Sequence, residues 1–539
     1  LLGKGVDYVA SLLTNDDTYY YLQTAWQTKQ SGFVTFDGVN STNGVQLLWF
    51  WTAFVLALAA KTKTGLLFAS LVTCFTLNVL CYLPIWKFAR TLGRPASAIL
   101  IGGLWAKLVT DGTYWLALEN SLHALVFWCL VWQAAVFFLR LSEGRRASML
   151  PLTVLLVLNA WTRIDAAVFS LAVYVVCAGA LVRARRGATG PEPGAMRQIA
   201  SSALLGGAGV AVALGAFYLM GRSVLPVSAL VKMSGRGGAE SLLASAREMF
   251  TLSLPALLPQ RIGGPNLLAV FGLASLVIVV LALSRRRSEL SRTRAFRAVW
   301  ITLAIGFAAY IAAAALSGAG THRYFVWHRT PLYAFWILTM SAAVHVVVEA
   351  IARVPLWRLT TPADADRPGI ATHGSQVARY SGVTIGAVLM VLSVARMFLP
   401  PQINPTRMLA IRYRAALWMG ENLPAEATCA AWNAGQLGFY APQKVINLDG
   451  LVNSAMYYED VLSGRRPLTD YLSEKNVRYI VDYVENDLTA CLEVVHAFPA
   501  DADGRVLRVL RAPPQERWQP QIRNRTQLTR GCLAGPHLP

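Results

Sequence analysis

Two adjacent carboxylates, Asp16 and Asp17, stand just ahead of Thr18-Tyr19-Tyr20-Tyr21 in a chain that is otherwise strongly apolar. A carboxylate held beside a bilayer can take a proton from a hydroxyl while that oxygen attacks, and a neighbouring acid can hold it in place or tune its pKa. The plainer reading is a helix start, with Asn15 or Asp16 as N-cap and Asp17 favourable in the first turn. Further polar groups follow at intervals. Glu119 stands in Leu118-Glu119-Asn120-Ser121, where an acid at the mouth of a span reaches water or pairs. Arg163 and Asp165 stand in Trp161-Thr162-Arg163-Ile164-Asp165, a pattern that also suits an ion pair closing a tight turn. Lys232 follows Leu225-Pro226-Val227-Ser228, with Arg222 and Arg236 near enough in sequence to cradle a phosphate, although a lone lysine is more often a solvated charge. His322, Arg323, His328 and Arg329 crowd one short stretch in which Trp327 also suits interfacial anchoring.

The elements that must position these groups are membrane helices. The hydrophobic fraction is 55%, the charged fraction 14% and the mean hydropathy +0.44, whereas a soluble globular protein carries about 25% charged residues. The net charge of +20 is spread in short clusters between apolar runs, which marks loops rather than a nucleic-acid surface. Apolar stretches at 64–89, 96–111, 119–139, 148–163, 166–183, 200–221, 265–284, 297–316, 330–350 and 380–399 predict about ten spans. Arg90 and Arg94, Arg140 to Arg146, Arg183 to Arg186, Arg285 to Arg287, and Arg353 with Arg358 mark cytoplasmic loops. The alternate loops, which hold the polar groups above, then share the outer side. The run 46–60 is taken as an interfacial helix, with Trp49, Phe50 and Trp51 in the headgroup zone and Lys61 and Lys63 snorkelling to water.

Three regions result: an extracytoplasmic first loop over 1–63, a membrane domain over 64–399, and a soluble extracytoplasmic domain over 400–539. In the last, strand-like runs at Thr428–Ala431, Lys444–Leu448 and Val477–Val481 alternate with helical patterns at 407–422 and 466–475, which predicts a small α/β domain. Its Trp432, Asn433, Tyr440, Asp449, Tyr457 and Tyr458 are of types that grip sugars, with core packing as the default reading. Cys74, Cys81, Cys129 and Cys177 fall in spans as small hydrophobes. Of Cys429, Cys491 and Cys532, the pair Cys491 and Cys532 is the preferred disulfide. No nucleotide-binding glycine pattern and no metal-ligand spacing is present.

The side assignment rests on arginine clusters alone, yet it gathers every polar group on one face. A cavity there would hold a carboxylate as base and cations for an anionic leaving group such as the phosphate of a lipid-linked sugar. Here the residues resemble a family. Asp16-Asp17-Thr18-Tyr19-Tyr20-Tyr21, then Thr35-Phe36-Asp37-Gly38 and Thr42-Asn43-Gly44 with Leu48-Trp49, are similar to the first outer loop of GT-C fold glycosyltransferases that depend on polyprenyl-phosphate sugars. Within that superfamily the chain resembles the bacterial protein mannosyltransferases, aminoarabinose transferases and arabinofuranosyltransferases. Leu118-Glu119, Arg163-Ile164-Asp165, Leu225-Pro226-Val227-Ser228 with Lys232, and Asn447 to Asn453 resemble later motifs of the same enzymes. Two departures stand out: Ala117 replaces a glycine, and Gln46-Leu47 stands where many members have His-Pro.

The resemblance implies an α-helical polytopic membrane enzyme of the bacterial plasma membrane with a C-terminal extracytoplasmic α/β domain. It also implies a first span ahead of Leu1. The reaction would be an inverting transfer of sugar from a polyprenyl-phosphate donor to a hydroxyl on a glycan, lipid or protein. Asp16 would be the general base, and Asp17 would position it or the acceptor. Glu119 and Asp165 would bind sugar hydroxyls or orient the base, Arg163, Lys232 and Arg323 would bind phosphate, and Asn43 and His322 would bind substrate. No cofactor and no nucleic acid are implied. A metal-free reaction is the favoured form, although an acid pair is also a ligand type for a divalent ion. Two other classes compete. A lipid-linked sugar flippase or secondary transporter would place ionisable groups near mid-bilayer in repeated halves, and a non-catalytic cell-envelope scaffold would tolerate loss of Asp16.

Overall fold

Asn15 opens the first long helix, Asp16–Ser31: its side-chain oxygen accepts the Asp16 N–H at 2.7 Å, and the Thr18 hydroxyl returns to accept the Asn15 N–H at 3.3 Å. This capping box satisfies donors that a helix start leaves open, and Gly32, at φ 76°, ends the helix. A computed structural model of the chain describes residues 5–13, 15–95, 97–110, 116–187, 190–191, 193–233, 276, 291–316, 330–353, 380–381, 383–393, 395, 407–483 and 492–512.

The apolar stretches fall on helices. Lys63–Leu80 runs on past Cys81 into Tyr82–Thr91, and Ser97–Thr110, Asn120–Ser142, Leu150–Thr162, Ala166–Ala184, Pro193–Gly221, Ser291–Leu316 and Thr330–Arg353 follow. The stretch predicted at 265–284 lies outside the described residues, apart from residue 276. Among the described residues five helices are long and apolar enough to cross a bilayer: Lys63–Thr91, Asn120–Ser142, Ala166–Ala184, Gly194–Gly221 and Ser291–Ala313. Leu47–Ala59, Ser97–Val109, Leu150–Thr162, Leu332–Val344 and Val383–Ser393 are apolar but shorter. Leu171, Val175, Leu204, Val212 and Leu219 are exposed on these helices. Water would reject such a surface and lipid accepts it, so the chain is a membrane protein.

Inside the bundle, Phe127, Trp128, Phe169, Val299, Phe307 and Trp336 belong to one buried cluster. A bilayer gives apolar packing little extra drive, so hydrogen bonds between helices matter there. Trp161 Nε1 donates to the Gly209 carbonyl at 2.9 Å, Asn159 Nδ2 to Ser170 Oγ at 3.0 Å, and Trp300 Nε1 to Thr339 Oγ1 at 3.0 Å.

The 46–60 run forms the helix Leu47–Ala59, but its aromatics do not behave as interfacial anchors. Trp49 and Phe50 are fully buried, Trp49 Nε1 donates to the Ala117 carbonyl at 3.1 Å, and only Trp51 is exposed. Lys61 is exposed, whereas Lys63 donates to the Phe439 carbonyl at 2.8 Å. A buried carbonyl cluster at the end of a helix competes well with water for an ammonium.

The C-terminal domain carries five strands: β1 (Thr428–Ala431), β2 (Lys444–Asn447), β3 (Val477–Tyr483), β4 (Glu493–Ala497) and β5 (Leu507–Arg511). Their order is β2-β1-β3-β5-β4. The first three pair in parallel, while β5 runs antiparallel to both β3 and β4. Helices Met408–Asn422, Ala434–Tyr440 and Leu468–Glu474 complete the α/β pattern. This domain and the first loop share one core, since Tyr19, Phe36 and Trp49 belong to the same buried cluster as Ile411, Phe439, Val445 and Val509. The first and last regions of the chain are therefore one packed body.

Candidate active site

Asp17, Glu119, Arg163 and Lys232 line one cleft with Tyr20, Tyr21, Gly44, Val45, Gln46, Leu118, Ser228, Leu451 and Val452. It encloses about 510 Å³ of empty space, its open mouth included. Every charged contributor sits at the end of a helix. Asp17 lies in the first turn of Asp16–Ser31, Glu119 immediately precedes Asn120–Ser142, Arg163 ends Leu150–Thr162, and Lys232 lies in Val227–Met233, just beyond Pro193–Gly221. These ends meet at the cleft, and Arg140 stands at the opposite end of Asn120–Ser142 from Glu119.

The two adjacent acids face different ways. Successive side chains on a helix point about 100° apart, and here the two carboxylates part company. Asp16 is buried against the C-terminal domain: its oxygens accept the Gln436 N–H at 2.8 Å and the Gly435 N–H at 3.3 Å, and Arg412 Nη1 stands 3.8 Å away. Gly435 has to be glycine for this approach, because a Cβ there would lie 2.2 Å from the Asp16 carbonyl oxygen. Asp17 is half-buried and faces the cleft. Burial pushes its carboxyl up to about 6, with Asp16 and Glu119 adding to the rise and the Lys232 ammonium working against it.

Arg163 is the hub of the opposite wall. Its Nη1 donates to Glu119 Oε1 at 2.5 Å, its Nε to Asp165 Oδ1 at 3.1 Å and its Nη2 to Asp165 Oδ2 at 3.2 Å. Tyr310 donates to Asp165 Oδ2 at 2.6 Å. The ion pair expected within the turn is present, and the same guanidinium also fixes Glu119 at the cleft. Ala117 holds the left-handed conformation, φ 49°, two residues before Glu119. That region costs an L-residue about 1–2 kcal/mol relative to the right-handed one, which is the physical meaning of the missing glycine. Gln46 Oε1 accepts the Ile164 N–H at 3.1 Å and so ties the first loop to this turn.

Asn43 does not line the cleft. Its Nδ2 donates to the carbonyls of Phe217, Ser223 and Leu225 at 3.1, 2.7 and 3.1 Å, and its Oδ1 accepts the Val227 N–H at 2.9 Å. The expected substrate contact is corrected to a clamp: its amide holds the segment that starts the Lys232 helix. Asp165 likewise lies behind Arg163 rather than on the lining. His322, Arg323 and the proposed Cys491–Cys532 pair lie outside the described residues, while Cys429 is a buried free thiol.

Sequence reasoning missed Tyr20, Tyr21, Gln46 and Ser228 as lining groups, and Leu451 with Val452 as the contribution of the C-terminal domain. The aromatic run after Asp17 was a usable signal for the tyrosines, since residues i and i+3 or i+4 share a helix face. Of the aromatic and polar residues noted in that domain, Tyr440 bonds Tyr19 at 3.0 Å, Tyr457 donates to the Leu448 carbonyl at 2.9 Å, and Asn433 Nδ2 donates to Asp482 Oδ1 at 3.2 Å, contacts of the kind the default packing reading expects. Among the described residues no group of three or more His, Cys, Asp or Glu side chains is placed to hold a metal ion. The cleft thus presents a carboxyl of raised pKa, a second carboxylate fixed by Arg163, a lysine and hydroxyl or amide groups.

A family described as "Domain of unknown function (DUF8728)" matches residues 403–524. No curated protein matches the chain. Among solved structures it is similar to ArnT from Cupriavidus metallidurans bound to undecaprenyl phosphate, at 13% identity over 95% of this chain and 96% of that one, with a TM-score of 0.47. It is similar also to the oligosaccharyltransferase AglB from Archaeoglobus fulgidus, in complex with an inhibitory peptide and a dolichol-phosphate, at 15% identity and a TM-score of 0.48. That match covers 88% of this chain, which spans 66% of the length of AglB. The arabinofuranosyltransferase AftD from Mycobacteria gives 13% identity over 94% of this chain and 39% of that one, with a TM-score of 0.37. The likeness is one of architecture, and what the cleft can do follows from its residues.

Proposed function

We propose that this chain is a membrane glycosyltransferase that moves a sugar from a polyprenyl-phosphate-linked donor to an acceptor hydroxyl, with inversion, on the extracytoplasmic side. The observation that carries the reading is the meeting of Asp17, Glu119, Arg163 and Lys232, from four separate stretches of chain, in one cleft at a common end of the membrane helices. A charge set at helix ends suits a reaction at the bilayer surface better than passage through its middle. The arginines at the opposite helix ends favour the cytoplasm for that side.

Asp17 takes the role first assigned to Asp16, because it faces the cleft while Asp16 accepts backbone N–H groups of the C-terminal domain. The acceptor oxygen attacks the anomeric carbon as its proton passes to Asp17. The bond from that carbon to the phosphate oxygen breaks, and the lipid phosphate leaves with the electron pair. Lys232 stabilises the developing charge, while Glu119, held by Arg163, orients sugar hydroxyls. The charge balance at the phosphate is assigned to Lys232, with no divalent ion required.

The test uses the full chain in nanodiscs with a panel of polyprenyl-phosphate sugars and acceptors, comparing Asp17→Asn with Asp16→Asn. Loss of the base predicts a fall of about 10²–10⁴-fold for Asp17→Asn, and a smaller one for Asp16→Asn, whose amide oxygen still accepts a backbone N–H. Parental turnover by Asp17→Asn would remove the reaction centre.

A further inference from the structure

The C-terminal domain reaches the cleft through the turn that follows β2, and this turn touches three different walls. Leu451 and Val452 line the cleft themselves. The Leu451 carbonyl lies so close to Gly44 that a Cβ there would stand 1.8 Å from its oxygen, so the two backbones meet without room for any side chain. Gly450 packs between Leu462 and Val231, the residue before Lys232. Asp449 makes the polar link: its Oδ2 accepts the Tyr20 hydroxyl at 2.8 Å and its Oδ1 accepts the Leu451 N–H at 2.8 Å. Asn447 Nδ2 supports the same hydroxyl at 3.4 Å, and its Oδ1 accepts the Gly450 N–H at 3.0 Å.

Tyr20 follows Asp17 by three residues, lies on the same helix face and lines the same cleft. The carboxylate bonded to that phenol, with the Gly435 and Gln436 N–H groups on Asp16 and Tyr440 on Tyr19, holds the rotation of the helix about its axis, and it is the tie nearest the cleft; the rotation decides whether Asp17 or Asp16 meets the cavity. We infer that the domain of unknown function is a working wall of the cleft, with Asp449 as the positioning residue that holds Tyr20 and, through their shared helix, Asp17. This rests on the transferase reading above.

The experiment compares the full-length parent in nanodiscs with Asp449→Ala, Asp449→Asn, Tyr20→Phe and the double variant Tyr20→Phe/Asp449→Ala. A small misplacement of the base predicts a kcat about 10²-fold lower for Asp449→Ala, with donor KM and binding of undecaprenyl phosphate unchanged. Asp449→Asn, which keeps an acceptor oxygen, recovers most of the loss. Tyr20→Phe matches Asp449→Ala, and the double variant is no worse than either single one. Parental kcat for Asp449→Ala, or losses that add in the double variant, would overturn the inference. Should Asp17→Asn be inactive while Asp449→Ala is fully active, the positioning role fails alone; an active Asp17→Asn variant sinks the transferase reading instead. Amide hydrogen exchange decides independently of turnover. Loss of this one hydrogen bond predicts about tenfold faster exchange along the Asp16–Ser31 helix in Asp449→Ala, and unchanged exchange there refutes the link.

Discussion

The two ends of the membrane helices use the same residue types in opposite ways. At one end Arg145 is 74% exposed and stands 3.4 Å from Glu143. At the other, Arg163 is 4% exposed and bonds Glu119 at 2.5 Å and Asp165 at 3.1 Å. Water solvates the first pair whether or not it forms, so the pair contributes about 0–1 kcal/mol. The second guanidinium has given up its hydration and cannot be left without carboxylates. A buried ionic network is weak evidence for stability gained over an apolar core. It is strong evidence that each member needs the others, and here it holds one acid at the wall of a cleft. Charge at one end stays in solvent, and charge at the other is locked into the wall of a cleft.

The contrast breaks if the two ends respond alike. Truncating Glu119 to Ala leaves Arg163 with Asp165 alone and is expected to cost on the order of 3 kcal/mol, read as a lowered unfolding midpoint in detergent. Next comes acidity. Burial raises the Asp17 carboxyl to about 6, so the ionised base is present above that pH and is lost as pH falls through it. The acid limb of kcat/KM should therefore drop about tenfold per unit below that point. A profile flat down to pH 4 would mean that Asp17 is not the base. The smallest effect is expected at the exposed end: Glu143→Ala should change stability by no more than about 1 kcal/mol, measured in the same melts. A loss there equal to that of Glu119→Ala would erase the distinction.

Much of this was legible in the residues. Helices dominate because a bilayer leaves a backbone no solvent to bond, so apolar length alone reports a membrane helix. The parallel strands β1 to β3 showed as short β-rich runs between helical patterns. Strands β4 and β5 did not, because Glu493–Ala497 and Leu507–Arg511 carry exposed and charged positions that dilute the alternation. The Leu47–Ala59 helix was read for the headgroup zone from its aromatics, yet composition cannot tell a ring facing lipid from one packed under a neighbouring segment. For Trp49, hydrogen-bonded to Ala117, packing decided.

By itself the sequence determined that the chain lives in a membrane and that an α/β domain follows its helices. Those outcomes depend on local hydropathy, charge and periodicity, which each segment carries with it. Only the tertiary structure decided that Asp17 rather than Asp16 meets the cleft, that Asn43 clamps a loop, and that the last domain packs into one core with the first loop. Each of these depends on which distant atoms arrive beside a group: Gly435 and Gln436 beside Asp16, or Asp449 beside Tyr20. Such meetings are set by long-range packing, and no local pattern encodes them.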